Sequence, residues 1–191
     1  MSKIREEGVI DPFSVLIDLE NGTMPEPSNR ITRKASDMRG YYADGKALEE
    51  LITSGNDPLH YEVLERPVPQ ARGHLMYCIS RLMPGRVGEE FFMTKGHYHS
   101  VKETAEIYLC LGGEGYMAMK TAGGAWAVER MERGRMVYVP PTWAHRSINT
   151  GREILSSFCV YPGEAGHNYG DIEKEGFPKR IFMKGGRIVM E

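Results

Sequence analysis

His97 and His99, one residue apart, sit in the chemically densest stretch of this 191-residue chain, TKGHYHSVKETAEIYLCLGGEG at positions 94–115. In an extended strand, residues i and i+2 face the same side. The two imidazoles therefore point together, at about the reach needed for two bonds of roughly 2.1 Å to one metal ion. Two carboxylates, Glu103 and Glu106, follow a few residues later. A second stretch, GRMVYVPPTWAHRSIN at 134–149, has a glycine turn, a strand and a proline turn, then His145 and Asn149. Taken alone, the His-x-His pair is as much at home on a surface or in packing as on a metal.

Groups of this kind need a frame, and the chain after position 56 has the texture of one. Short β-type runs succeed one another with turn residues between them: HYEVLE, HLMYCIS, EEFFMT, EIYLCL, GYMAMKT, AWAVERM, RMVYVP and ILSSFCVYP, then RIFMKG and GRIVME. Strands this short and this regularly spaced predict an all-β antiparallel sandwich or barrel. Ahead of them, ASDMRGYYADGKALEELITSGN holds the one convincing helix, with Ala47, Leu48, Leu51 and Ile52 as its apolar face and Gly55 and Asn56 as its stop. Residues 1–35 read as an arm in which SVLIDLENG makes a strand and TMPEPSNR a turn-rich link. No repeat or long linker divides the chain. The expected organisation is one domain over 1–191, with arm and helix in 1–55 and barrel plus C-terminal hairpin in 56–191.

Composition narrows the partner. Net charge is -2, the pI is near 6.3, and the 24 basic residues are dispersed, which argues against nucleic acid and anionic membranes and for a small soluble partner. The start MSKIREEGVIDPF has no signal-type apolar run, so a cytoplasmic location is expected. The cysteines, Cys78, Cys110 and Cys159, form no CxxC pair and read as reduced, buried, small hydrophobes.

The two histidine stretches resemble the paired motifs of the cupin superfamily, small β-barrels that hold one metal with two histidines and a glutamate from the first motif and a histidine from the second. The second motif matches at Gly134, Pro140, His145 and Asn149, with Thr142 where the turn usually has glycine; the first matches at His97, His99 and Gly113. The closing glycine lies seven positions after the ligand glutamate, which selects Glu106 over Glu103 and leaves Glu103 as a solvated loop charge. The longer loop before Glu106 resembles the cupin-type phosphoglucose isomerases of archaea, matching at Thr94, Gly96, His97, His99, Glu106, Tyr108, Leu111, Gly113 and Gly115. YVPPTWAHRSINTG and YPGEAGHNYG are similar to that family's later motifs, with Glu164 and Asn168 where aspartates are commoner.

The resemblance implies an aldose–ketose isomerase of glycolysis and gluconeogenesis, interconverting glucose 6-phosphate and fructose 6-phosphate through an enediol(ate). It implies one divalent metal per chain on His97, His99, Glu106 and His145, with Fe2+ first and Ni2+, Mn2+ or Zn2+ as alternatives, acting as a Lewis acid. Glu106, Tyr161 and His167 are the implied catalytic residues. No P-loop or arginine cluster accompanies either motif, so hydroxyl and backbone donors at Tyr61, Ser80, Thr94, Gly96 and Tyr169, with Tyr108, are the implied substrate contacts. His60 and His74 read as structural, and exposed barrel edges favour a homodimer. An iron-dependent cupin dioxygenase and a non-catalytic sugar-binding cupin are the alternative readings.

Overall fold

The computed structural model describes residues 10–191, so most of the charged start lies outside the described residues. In chain order the elements are β1 (Asn29–Lys34), α1 (Gly45–Leu51), β2 (Leu59–Glu65), β3 (Leu75–Leu82), β4 (Arg86–Val87), β5 (Glu90–Phe91), β6 (Glu106–Gly112), β7 (Glu114–Thr121), β8 (Trp126–Glu132), β9 (Met136–Val139), β10 (Trp143–Asn149), β11 (Leu155–Pro162), α2 (Gly170–Glu175), β12 (Ile181–Lys184) and β13 (Arg187–Met190). They form a six-stranded sheet in the order β1-β2-β3-β11-β6-β9, a three-stranded sheet β10-β7-β8 and a four-stranded sheet β13-β12-β5-β4. The result is an antiparallel, almost entirely β fold with two short α-helices.

Alternation of side chains divides the six-stranded sheet into two faces. Leu64 and Ile79 point outward yet are fully buried, because Met24 and the partly buried Val15 and Ile17 of the N-terminal arm close over them. Burial of each such side chain contributes about 2 kcal/mol. The opposite face turns toward β10 and β7, where Met117, Ala144, Ile148 and Leu155 belong to the main core. β10 also reaches across to the segment before β6: Thr94 N–H donates to Ser147 O at 3.0 Å and Asn149 N–H to Phe92 O at 3.0 Å. Asn149 fixes the end of that strand, its Nδ2 donating to Leu82 O at 2.9 Å and Glu153 O at 2.8 Å. At Gly113 (φ +74) a Cβ would lie 2.5 Å from Ile154 O, so the turn into β7 requires glycine.

Several local expectations change. SVLIDLENG forms no strand; only the isolated bridge Asp18–Thr23 joins it to the next turn. EEFFMT contracts to β5 because Phe92 and Met93 leave that sheet to meet β10. α1 begins under an Asp44 side-chain cap that accepts from Ala47 N–H at 2.9 Å, and passes into a π-helical turn over Ile52–Asn56. β1, β4, β10 and α2 were not anticipated. β10 shows no polar–apolar alternation because Ala144 through Asn149 are all buried. β1 reads as polar because the side chains it turns inward face a polar cavity.

Candidate active site

The strand period and two bridges assemble the site. His97 pairs with His145 of β10 through reciprocal backbone bonds, His97 N–H to His145 O at 3.2 Å and His145 N–H to His97 O at 3.1 Å. Tyr98 pairs instead with Asn168, which draws the loop after β11, with His167 and Tyr169, beside the histidines. Glu106 opens β6 and projects inward, whereas Glu103 is exposed. One ligand atom from each of His97, His99, Glu106 and His145 lies within 4.8 Å of the others.

Proton positions in this group point to a cation. The Thr104 hydroxyl donates to Val101 O at 2.6 Å, so its Oγ1 is an acceptor for His99 Nδ1 at 2.8 Å. His99 in its neutral form therefore carries the proton on Nδ1, and its Nε2 lone pair faces Glu106 Oε2 at 3.1 Å. Two acceptors held that close call for a positive charge between them. His145 Nε2 is 3.0 Å from the same carboxylate oxygen, and His97 Nε2 is buried with no partner among the described residues. Three imidazoles and a carboxylate of this kind fit a divalent first-row metal.

Around this group lies a cavity of about 320 Å³, lined by Tyr61, Ser80, Thr94, Gly96, His97, Glu106, Tyr108, His145, Tyr161, His167 and Tyr169. His99 does not line the cavity but touches Glu106 from within the four-residue group, so the site residues expected from the sequence all lie in or against this cavity. The His167 ring lies 4.5 Å from that of His97 and 5.5 Å from that of Tyr161. The Thr94 hydroxyl oxygen accepts Ser147 N–H at 3.1 Å, which leaves its own proton free to donate.

The same cavity has lining residues that the motifs do not contain: Arg33 from β1, Glu65 from β2, and Cys78 and Cys159, paired across β3 and β11. Arg33 pairs with Tyr61 across β1 and β2, and its charge acts on Tyr61 and Tyr169. A guanidinium thus joins a wall expected to hold only hydroxyl and backbone donors. Its one available signal was the inward alternation of Asn29, Ile31 and Arg33. Cys110 is buried in the core, whereas Cys78 and Cys159 are buried at the cavity wall. His60 belongs to the core: it is fully buried, stacks on Phe92 at 3.7 Å and has Nε2 3.0 Å from the Tyr42 hydroxyl.

Burial sets much of the electrostatics. It would raise the pKa of Glu106, but the neighbouring His145 more than offsets it and holds the carboxylate well below its ordinary range. Burial also pushes His97 well below the usual imidazole value, and the surrounding walls lower His167 despite its contact with solvent. The hydroxyls of Tyr108, Tyr161 and Tyr169 are raised for the same reason, and Tyr61 is pushed up to about 12. At neutral pH the site thus combines the Glu106 carboxylate anion, neutral imidazoles at His97 and His167, and protonated phenols.

The chain is similar to known proteins over most of its length. The family model described as Glucose-6-phosphate isomerase (GPI) matches residues 32–191. Among curated relatives, the glucose-6-phosphate isomerase of Thermococcus gammatolerans is 47% identical over 93% of this chain and 92% of that protein. The proteins of the same name from Pyrococcus abyssi and Pyrococcus furiosus are 43% and 41% identical, each over 93% of both chains. A solved Cupin 2 conserved barrel domain protein from Salinispora arenicola aligns over 53% of this chain and 75% of that one, at 17% identity and TM-score 0.39. The family match runs from Thr32 in β1 through both histidine stretches to the C-terminal hairpin, and the chain belongs to the glucose-6-phosphate isomerase family.

Proposed function

We propose that this chain, as a single domain, is a metal-dependent isomerase that interconverts glucose 6-phosphate and fructose 6-phosphate in glycolysis and gluconeogenesis. The observation that supports it best is one cavity holding a three-imidazole, one-carboxylate centre beside a wall of hydroxyl and backbone donors. His97, His99, Glu106 and His145 would hold a divalent ion, Fe2+ or one of Ni2+, Mn2+ and Zn2+. When bound, the ion would supply Lewis-acid stabilisation of the negative charge that develops on the sugar oxygens.

The chain's own groups divide the remaining work. Glu106 is the base for the C2 proton, although a carboxylate stabilised this strongly is a weak one, and it gains basicity only as its contact with His145 loosens. His167, neutral and in contact with solvent, takes and returns protons at the sugar hydroxyls during ring opening, with the Tyr161 hydroxyl beside it. Tyr61, Ser80, Thr94, Gly96 and Tyr169 receive the phosphate, joined by Arg33, and Tyr108 orients Glu106 and His145. Its hydroxyl is 3.0 Å from His145 Nε2.

The exposed Leu109, Met136 and Tyr138 on β6 and the edge strand β9 support a homodimer. Among the described residues no helix is long and apolar enough to cross a membrane, and the reading places the enzyme in the cytoplasm. The test is incubation with fructose 6-phosphate and each of the four metals, with and without oxygen, followed by assay of glucose 6-phosphate. Formation of glucose 6-phosphate without oxygen is expected. No product with any metal would refute the reading, and oxygen-dependent consumption would replace it with a dioxygenase. Repeating the reaction in deuterated water tests Glu106: solvent deuterium at the receiving carbon is expected, and product free of label would remove it as base.

A further inference from the structure

Arg146 follows His145 in β10 and has no task in the reaction just described. On β10, His145 and Ser147 face the cavity, so Arg146 points the other way, into the core, and is only 3% exposed. Its guanidinium carbon lies 4.5 Å from the centre of the Phe177 ring and 5.9 Å from that of Tyr41. It forms no ion pair among the described residues, and the nearby carboxylate of Glu90 is taken by Arg180 at 2.7 Å and Ala43 N–H at 2.9 Å. A buried cation with no counter-ion is costly to keep, which directs attention to what its donors hold.

One donor goes to Met93 Sδ at 3.1 Å and another to the carbonyl of Lys95, while Nε is buried without a partner. That carbonyl belongs to the same peptide as the Gly96 N–H. In a trans peptide C=O and N–H point in opposite directions, so a carbonyl drawn toward the core turns Gly96 N–H toward the cavity that Gly96 lines. The flanking amides are committed: Thr94 N–H to Ser147 O and His97 N–H to His145 O. Gly96 N–H has no acceptor among the described residues. Gly96 adopts φ +76, and a Cβ there would meet Arg146 Cβ at 2.9 Å, so the peptide sits directly against the arginine stem.

We propose that Arg146 is a positioning residue for the phosphate of the substrate: its buried charge holds and polarises the Lys95–Gly96 peptide so that Gly96 N–H is presented as an anion donor. The inference rests on the phosphosugar reading above. It places a full positive charge behind the anion site without a side-chain contact to the ligand, through a peptide dipole in a water-poor setting where such dipoles act strongly.

The test compares the parent with Arg146→Met and Arg146→Lys, each loaded with zinc. KM for fructose 6-phosphate and the inhibition constant for inorganic phosphate should both rise about 10- to 100-fold in Arg146→Met, with kcat within about threefold and metal per chain unchanged. Arg146→Lys should fall between. In 15N-labelled protein the Gly96 amide resonance should move when inorganic phosphate is added to the parent, and move less in Arg146→Lys, which remains informative if Arg146→Met does not fold. KM and phosphate inhibition within about twofold of the parent, or an unaltered Gly96 response in Arg146→Lys, would overturn the inference. So would parallel loss of metal and kcat, which would show action through His145 instead. A parent that binds inorganic phosphate at Gly96 but does not isomerise fructose 6-phosphate with zinc or with any of the other three metals would refute the phosphosugar reading while still testing Arg146 through the phosphate measurements.

Discussion

Replacement of Thr104 by Val tests how the metal centre is oriented. The Thr104 hydroxyl is committed as a donor to Val101 O at 2.6 Å, and its oxygen receives His99 Nδ1–H at 2.8 Å. The same Nδ1 also lies 3.2 Å from Thr104 O. Valine keeps the volume of threonine, removes the nearer acceptor and leaves the farther carbonyl. The loss should therefore fall within the range of one neutral hydrogen bond, about 1–1.5 kcal/mol, rather than that of an abandoned buried donor. Since Nδ1–H fixes the tautomer that presents Nε2 to the metal, this becomes a decrease of about 5- to 12-fold in metal affinity, at the lower end of the effect of outer-shell partners. Metal affinity would be measured by competition with a chelator of known strength, with the folded fraction followed by circular dichroism. Thr104→Ser restores the acceptor and should bind as the parent does. Metal affinity in Thr104→Val within about twofold of the parent, or equal weakening in Thr104→Ser, would refute the reasoning.

Other expectations follow from the same geometry. Replacing His97 or His145 by Ala should abolish both metal binding and isomerisation, and full activity of the parent after exhaustive chelation would contradict the centre. Thr94→Val removes a free hydroxyl donor and should raise KM for fructose 6-phosphate about 10- to 150-fold with metal content intact, whereas a change within about twofold would make Thr94 only a structural residue. Thr142 occupies φ +72, so Thr142→Gly should relieve left-handed strain of about 1–2 kcal/mol, less the entropy of an added glycine, for a net gain of about 0.5–1 kcal/mol in denaturant unfolding. Burial lowers the pKa of His60 to about 4. Protonation therefore favours the unfolded chain: the stability from neutral His60 is complete above about pH 6.5 and is lost as pH falls toward 4, amounting to about 3 kcal/mol. His60→Gln should lose correspondingly less stability across that interval, and an identical pH profile would show that His60 does not titrate with unfolding.

Residue types, the i, i+2 spacing of His97 and His99, and the seven-residue interval from Glu106 to Gly113 are properties of the linear chain. From residue types and spacing came the all-β texture and the shared face of His97 and His99, whereas Glu106 and the other groups that the structure gathers into one cavity were implied by the resemblance of the motifs. Local periodicity sufficed for the two histidines because strand geometry fixes on which side each of their side chains falls. Tertiary structure alone decided the rest. β1 becomes a cavity wall, and Arg33 a cavity residue, only because Asn29–Lys34 pairs with β2; inward polar side chains there look like outward ones in sequence. β10 was hidden because both of its faces are buried, one by the cavity and the other by the core that holds Arg146. The bridge between Tyr98 and Asn168 brings His167 beside His97, and the Thr104 contact fixes the proton of His99. Each depends on a neighbour supplied by the packed fold, and the alternation of polar and apolar residues does not record whether a buried face meets hydrocarbon or a polar cavity.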